Sequence, residues 1–394
     1  MTDNISFKNN KADYILSFTA LGQSLFSIIQ IMLIRAFHYP PELSNNIRLL
    51  LTALPILMSF FFIIRRKKEI AIFSYIVVVF ILSVTVSIWP NRWDVMKDDV
   101  LKFLLPVVIP TGLCVISIRN YRVFFKMCKI IAIFSAFFGL LYVYYFYIGV
   151  IRIDNYSMGF SYTLLLPIVI LMIQKQLLYK IISLLLTIVI LAVGARGPFL
   201  CSCMFMIVNY FWGKLSILKI VTYIGMLYVA SVLFLNDIIG GLISFFDNMG
   251  IKSRTLKLMA NNDLISHTSG RDNLQDLAWS YINESPILGN GVWADREYIG
   301  IYCHNLLIEW LLDFGYVITG MILVLAITSH YRIINKVAKD DLLWLILFFF
   351  GCIVPLLVSS SYLINCNFGL YIGFLYMLNN KYQVKLTFSK KKLY

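Results

Sequence analysis

Long runs of apolar residues, separated by short polar segments, dominate the sequence. A helix needs about 20 mostly apolar residues to cross a membrane. The runs predict about twelve transmembrane helices, or eleven if the pair around Gly194–Pro198 forms one broken hairpin. The predicted spans are residues 14–34, 48–64, 70–89, 101–118, 129–150, 157–173, 180–195, 199–212, 217–235, 305–328, 341–360 and 362–379. We therefore expect an all-α polytopic membrane protein.

One long segment breaks this pattern, at residues 236–303. It is the only stretch with enough polar sequence to fold outside the bilayer. The predicted organisation is an N-terminal transmembrane bundle (1–235), a large loop with short helices (236–303), and C-terminal transmembrane helices with a basic tail (304–394).

The composition supports a membrane environment. Hydrophobic residues make up 60% of the chain and charged residues 14%, against about a quarter charged in an ordinary globular domain. A soluble protein of this size has too little interior to bury so much apolar surface, so lipid must form part of its solvent.

The net charge of +14 does not indicate nucleic-acid binding, because the basic residues form short clusters between apolar runs. The main clusters are at residues 65–68, 119–129 and 390–392. Such clusters are typical of cytoplasmic loops. We therefore expect both termini in the cytoplasm and the long loop outside it.

An extracytoplasmic loop has no access to ATP or nucleotide sugars, and it contains no Walker or GxGxxG pattern. The seven cysteines form no CxxC pair and lie mostly in or beside apolar runs, which favours buried hydrophobic roles. No second histidine, cysteine or acid has metal-ligand spacing with His304, which makes a zinc site there unexpected. We expect neither a metal nor a cofactor.

The loop itself contains helical signals. Residues 240–249 predict an amphipathic piece at the membrane surface, and residues 254–261 a short helix. A clearer helix is predicted from Ser269 as N-cap to a stop at Pro286, followed by a turn at 289–291. Its expected buried face has helical spacing and comprises Leu274, Leu277, Ala278, Tyr281 and Ile282.

Arg196 is the first candidate functional residue. It lies in Gly194-Ala195-Arg196-Gly197-Pro198, between two apolar runs. An arginine at that depth is costly unless it pairs with an anion or lines a wet cavity. The alternative is an arginine that extends to a lipid headgroup.

Arg271 is the second candidate, in the first turn of the predicted loop helix. Helix N-termini bind phosphates, and a cation there is unfavourable for the helix alone. An anion beside both would remove that conflict. The alternative is a solvent-facing arginine near Asp272 or Asp276.

His304 is the third candidate, at the junction of the loop and the next membrane helix. Histidine titrates near neutral pH and can take a proton from a hydroxyl. A structural role is the alternative. Its possible acidic partners are Asp295, Glu297 and Glu309, and spacing does not choose between them.

These residues form part of a longer series, which resembles the signature of the O-antigen polymerase and ligase superfamily (the Wzy-type polymerases and O-antigen ligases). The series is Gly194-Ala195-Arg196-Gly197, Ser269-Gly270-Arg271, Trp279, Ser285-Pro286-Ile287-Leu288-Gly289-Asn290-Gly291, His304-Asn305 and Gly315. The motifs cover about residues 190–320, and residues 1–190 agree only in hydropathy.

The resemblance implies a GT-C-like membrane glycosyltransferase in the bacterial cytoplasmic membrane. Its donor would be a polyprenyl-pyrophosphate-linked oligosaccharide, its acceptor a sugar hydroxyl, and its partners a chain-length regulator and a flippase. The family's arginines correspond to Arg196 and Arg271 and its histidine to His304. Arg254 and Asn305 are further candidates for binding the pyrophosphate or glycan.

Three functions remain open. A polymerase that joins lipid-linked repeat units into capsule, exopolysaccharide or O-antigen is the leading hypothesis. A ligase shares the motifs and differs in its acceptor. A transporter or flippase also fits the helix number, but charged residues are rare in the mid-chain spans, where ion-coupled carriers place them.

Overall fold

The computed structural model describes residues 2–66, 69–70, 72–77, 79–80, 92–151, 158–212, 240–248, 253–261 and 271–391. Within these residues the chain forms helices and no strand. The helices, in chain order, are α1 (Thr2–Arg35), α2 (Pro41–Ile63), α3 (Trp93–Ile116), α4 (Tyr121–Tyr147), α5 (Met158–Met172), α6 (Leu177–Val193), α7 (Arg196–Phe211), α8 (240–248), α9 (Arg254–Ala260), α10 (Arg271–Glu284), α11 (Ala294–Tyr298), α12 (Leu306–Ile334), α13 (Lys339–Val358) and α14 (Cys366–Lys391). Residues 69–70, 72–77 and 79–80 are also helical.

Six of the described helices are long and apolar enough to cross a membrane: Lys11–Arg35 of α1, then α2, α3, α4, α12 and α13. Helices α5 and α6 are also apolar but shorter. The chain is thus an all-helical protein suited to a membrane. Of the predicted spans, 217–235 and most of 70–89 lie outside the described residues, so the number twelve stays a prediction.

The chain divides into two compact units that do not follow chain order. The first unit comprises residues 1–23, 50–127 and 269–394. The second comprises residues 24–49 and 128–268. Arg271 and His304 belong to the first unit, and Arg196 and Arg254 to the second.

In the first unit, α3 and α14 cross at small residues. A Cβ atom on Gly369 would lie 2.4 Å from the carbonyl oxygen of Val108, and one on Gly112 would lie 3.3 Å from the carbonyl oxygen of Gly369. Glycine lets two backbones approach this closely, as is common between membrane helices. This crossing fixes the start of α14 and therefore the turn that precedes it, residues 359–365.

Helix α12 is broken at Gly315, which has φ 67° and ψ −175°. The segment Pro286–Gly291 packs into the break and replaces the lost helical hydrogen bonds. The amides of Asn290 and Gly291 donate to the carbonyls of Leu312 and Asp313 at 2.7 and 2.8 Å, and the amide of Tyr316 donates to Pro286 at 2.7 Å. Few backbone groups can stay unpaired in a protein interior, so the break in α12 and the segment Pro286–Gly291 depend on each other.

The same segment follows α10 in the chain and contacts α12 through the hydrogen bonds just described. Ala278 and Ile282 of α10 pack in a buried cluster with Ala294, Cys303 and Leu312. The predicted buried face is correct for Ala278 and Ile282 but wrong for Leu277, whose side chain is 40% exposed. The predicted N-cap Ser269 lies outside the described residues, and the described helix begins at Arg271.

Candidate functional site

Arg271 contacts the end of α13. Its Nη1 donates to the carbonyl of Val358 at 2.5 Å, and Nη2 lies 3.5 Å from Oγ of Ser359. The side chain is only half-buried. One edge of the guanidinium is thus held by protein, which orients a charged group that still reaches solvent.

His304 meets the same turn. Its Nδ1 lies 3.3 Å from the carbonyl oxygen of Ser359. A carbonyl oxygen only accepts hydrogen bonds, so Nδ1 carries the proton of the neutral ring and Nε2 carries the lone pair. The structure therefore brings Arg271 and His304 together at residues 358–359, and it leaves His304 in the tautomer of a base that acts through Nε2.

The backbone of His304 is unusual, with φ 57°. Few residues other than glycine adopt this left-handed conformation, although histidine tolerates it better than most. Surrounding contacts must hold a residue in such a conformation, and residues of this kind are concentrated at functional sites.

The charge state of His304 follows from its surroundings. Burial lowers the pKa of His304 below its ordinary value near 6.5. The hydrogen bond with Ser359 opposes this, whereas the guanidinium groups of Arg271 and Arg296 lower the pKa further. At neutral pH the ring is therefore uncharged and able to accept a proton.

Asn305 has a structural contact beside the site. Its Oδ1 accepts hydrogen bonds from the amides of Leu307 and Ile308 at 3.0 and 3.3 Å. This is the N-cap arrangement that satisfies the first amides of a helix. Asn305 therefore fixes where α12 begins and, with it, the position of the neighbouring His304.

Arg296 is the centre of the site, although the sequence did not single it out. It is 9% exposed. Nη1 binds Asp295 and Glu309 at 2.6 and 2.8 Å, Nη2 donates to Oγ of Ser361 at 2.7 Å, and Nε binds Asp99 at 3.2 Å. The arginine thus ties α3, α11 and α12 to the turn that Arg271 and His304 contact.

The carboxylates around Arg296 are buried on α12 as well. Glu309 is 0% and Asp313 1% exposed. Oγ of Ser361 donates to Glu309 and the hydroxyl of Tyr362 donates to Asp313 at 2.7 Å. Oε2 of Glu309 and Oδ1 of Asp313 have no hydrogen-bond partner among the described residues. Two carboxyl groups of α12 are therefore buried at the base of the site.

The three acids considered as partners of His304 bind arginines instead. Asp295 and Glu309 bind Arg296, and Glu297 binds Arg92. The guanidinium of Arg92 also donates to the carbonyls of Asn290 and Val292 at 2.8 and 3.3 Å. Arg92 and Arg296 thus hold residues 290–297, the part of the loop that precedes His304.

In the second unit, the segment with Arg196 adjoins the start of α9. Gly194 ends α6 with φ 85°, and a Cβ atom there would lie 3.2 Å from the amide nitrogen of Arg254. Ser253 caps α9 and donates through Oγ to the carbonyl of Leu191 at 2.5 Å. Arg196 is the first residue of α7, two residues beyond Gly194. The backbones that carry Arg196 and Arg254 are therefore neighbours within this unit.

No protein-family model and no curated protein matches this chain.

Together, the residues of the first unit can perform a defined chemistry. A neutral imidazole can take a proton through Nε2, and an oriented guanidinium can stabilise a developing anion. Both are anchored on one turn that a buried ion network supports. Such a set suits transfer of a group from an anionic leaving group to a hydroxyl.

Proposed function

We propose that this protein is a membrane glycosyltransferase of the Wzy type, which polymerises lipid-linked oligosaccharide repeat units outside the cytoplasmic membrane. The observation that carries the proposal is the convergence of Arg271 and His304 on residues 358–359. The motif resemblance led to the same two residues from sequence.

The reaction needs a base for the acceptor proton and a group that stabilises the leaving pyrophosphate. His304 supplies the first and Arg271 the second. The acceptor hydroxyl oxygen attacks the anomeric carbon of the donor, and its proton passes to Nε2 of His304. The bond between the anomeric carbon and the pyrophosphate oxygen breaks, and the pyrophosphate leaves on its lipid with the bonding electrons. Arg271 stabilises that charge through its planar pair of donors.

Arg196 and Arg254 are proposed as further ligands of the pyrophosphate. Arg196 lies at the N-terminus of a 16-residue helix, where backbone amides also favour an anion. The energy for the transfer is already stored in the donor, so the proposal includes no nucleotide and no metal. A chain-length regulator and a flippase remain proposed partners.

A ligase of the same superfamily would use the same residues with a different acceptor, such as lipid A core. A transporter gains support from one observation. Glu309 and Asp313 lie buried in a helix long enough to cross the membrane, and intramembrane acids often belong to proton or ion pathways.

The test is the size distribution of lipid-linked and surface glycans in cells with and without the gene. A polymerase predicts that long chains disappear and single repeat units accumulate outside the membrane. Polymer that stays on its lipid carrier would favour the ligase, and repeat units trapped on the cytoplasmic face would favour the flippase. An unchanged glycan ladder would exclude all three.

A further inference from the structure

Tyr302 contacts both the candidate base and the buried arginine. Its ring centre lies 4.2 Å from that of His304, with 50° between the ring planes. The guanidinium carbon of Arg296 lies 5.5 Å from the centre of the same tyrosine ring. The distance to Arg296 lies within the usual range for a cation–π contact, and the two ring centres are slightly closer than the roughly 4.5–7 Å usual for aromatic pairs.

The neighbours of Tyr302 are fixed. Arg296 is held by Asp295, Glu309, Asp99 and Ser361. The amide of Cys303, between Tyr302 and His304, donates to Oδ2 of Asp295 at 3.2 Å. The ring of Tyr302 and the backbone beside it therefore both contact the Asp295–Arg296 pair.

His304 needs such a neighbour. The contact of Nδ1 with Ser359 fixes one atom of the imidazole, but the ring plane can still turn about that contact. A base must be held within about half an ångström and 10–20° of its working geometry. An aromatic ring packed on the imidazole supplies the missing restraint.

We propose that Tyr302, packed on Arg296, is a positioning residue that holds the imidazole plane of His304 with Nε2 directed at the acceptor hydroxyl. The inference rests on the proposed function, in which His304 accepts the proton. The part that matters is the aromatic face of Tyr302, so phenylalanine should replace it and an aliphatic residue should not.

The kinetic test compares Tyr302→Phe with Tyr302→Leu in protein purified into lipid nanodiscs. The substrate is the lipid-linked repeat unit extracted from cells that lack the gene. For Tyr302→Leu we expect kcat to fall about 10- to 100-fold, since a small misplacement of a catalytic group has effects of that size. KM should stay near the wild-type value, and Tyr302→Phe should restore kcat.

A matched control is available in the same unit. Tyr281 and Tyr298 also stack, with ring centres 4.5 Å apart, but this pair lies on α10 and α11. Tyr281→Leu removes a comparable contact and should leave kcat within about twofold of the wild type. Arg296 is a poorer test, because its loss would leave Asp295 and Glu309 buried without their counter-charge.

A second measurement does not depend on activity. The chain has four histidines, so selective ¹³C labelling gives few NMR signals, and His304→Gln identifies that of His304. Tyr302→Leu should remove the ring-current shift from this signal, and both Tyr302→Phe and Tyr281→Leu should retain it.

Three results would overturn the positioning role: wild-type kcat in Tyr302→Leu, an unchanged His304 signal in that variant, or a loss of kcat in Tyr302→Phe equal to that in Tyr302→Leu. Failure of the proposed function is seen separately, as wild-type transfer by His304→Gln.

Discussion

His304 is the residue on which the proposed chemistry depends most directly. Replacement by glutamine removes the base, and we expect kcat to fall about 10²- to 10⁴-fold, the usual contribution of general base catalysis. His304→Asn tests for misfolding, because asparagine tolerates the left-handed backbone at this position. His304→Asn should fold like the wild type and should lose as much kcat as His304→Gln. Normal turnover by His304→Gln at every pH would disprove the role.

The pH dependence of the wild type follows from the lowered pKa of His304. The base acts in its neutral form, which predominates above its pKa. Since that pKa lies below the ordinary value near 6.5, kcat should fall to half its maximum only at a pH below 6.5. A half-maximal kcat at a pH above 7 would mean that another group limits the reaction.

Arg271 is expected to act through the geometry of its guanidinium as well as its charge. Lysine keeps the charge but cannot present two parallel donors to a phosphate. Arg271→Lys and Arg196→Lys should each lower kcat about 100-fold, as loss of one preorganised donor often does. Arg332→Lys, at an exposed position near the end of α12, is the control. Unchanged polymer yield in both test variants would exclude specific pyrophosphate recognition by these residues.

At the scale of elements, the break in α12 explains two motif glycines. Gly289 has φ 75°, and a Cβ atom on it would lie 2.4 Å from the amide nitrogen of Gly315. A Cβ atom on Gly315 would likewise lie 2.4 Å from the carbonyl oxygen of Ile287. Both positions require glycine, because their positive φ angles disfavour other residues and because a side chain there would overlap the neighbouring backbone. The motif at residues 285–291 is therefore first a joint between α10 and α12.

Gly289→Ala should open this joint. The left-handed backbone alone costs about 1–2 kcal/mol for alanine, and the overlap with Gly315 adds to that cost. Gly320→Ala is the control, because Gly320 lies in the same helix with no atom near its Cβ position; alanine there should be neutral or stabilise by up to about 1 kcal/mol. The measurement is the thermal midpoint in nanodiscs, and equal midpoints for the two variants would contradict the joint.

The sequence predicted much at this scale but not the contacts of the site. Apolar runs located most of the helices because a bilayer imposes a minimum length on them. Arg271 and His304 could be selected because their chemistry and motif positions are local. Arg296 could not be selected, since a run of charged residues such as Asp295-Arg296-Glu297 is typical of a solvent-exposed surface. Its partners Asp99 and Ser361 are distant in sequence and meet it only in the folded chain.

For the whole molecule, the proposed chemistry depends on which side of the membrane α10 faces. The basic clusters, including the one at residues 65–68, are expected to lie in the cytoplasm. This orientation predicts that residues 271–304 lie outside the cytoplasm. The proposed donor requires this orientation, because a flipped lipid-linked repeat unit is available only on the outer side. Orientation therefore links the charge pattern of the chain to its chemistry.

Cysteine accessibility tests this orientation with two exposed positions, Asp276 on α10 and Arg65 after α2. In intact cells a membrane-impermeant maleimide should label Asp276→Cys, because α10 is expected outside. It should label Arg65→Cys only after the cells are permeabilised. The unaltered chain gives the background, since five of its seven cysteines are buried and Cys203 and Cys366 are partly exposed. The reverse pattern would place Arg271 and His304 in the cytoplasm, where a flipped donor does not occur, and would exclude the polymerase and ligase functions together.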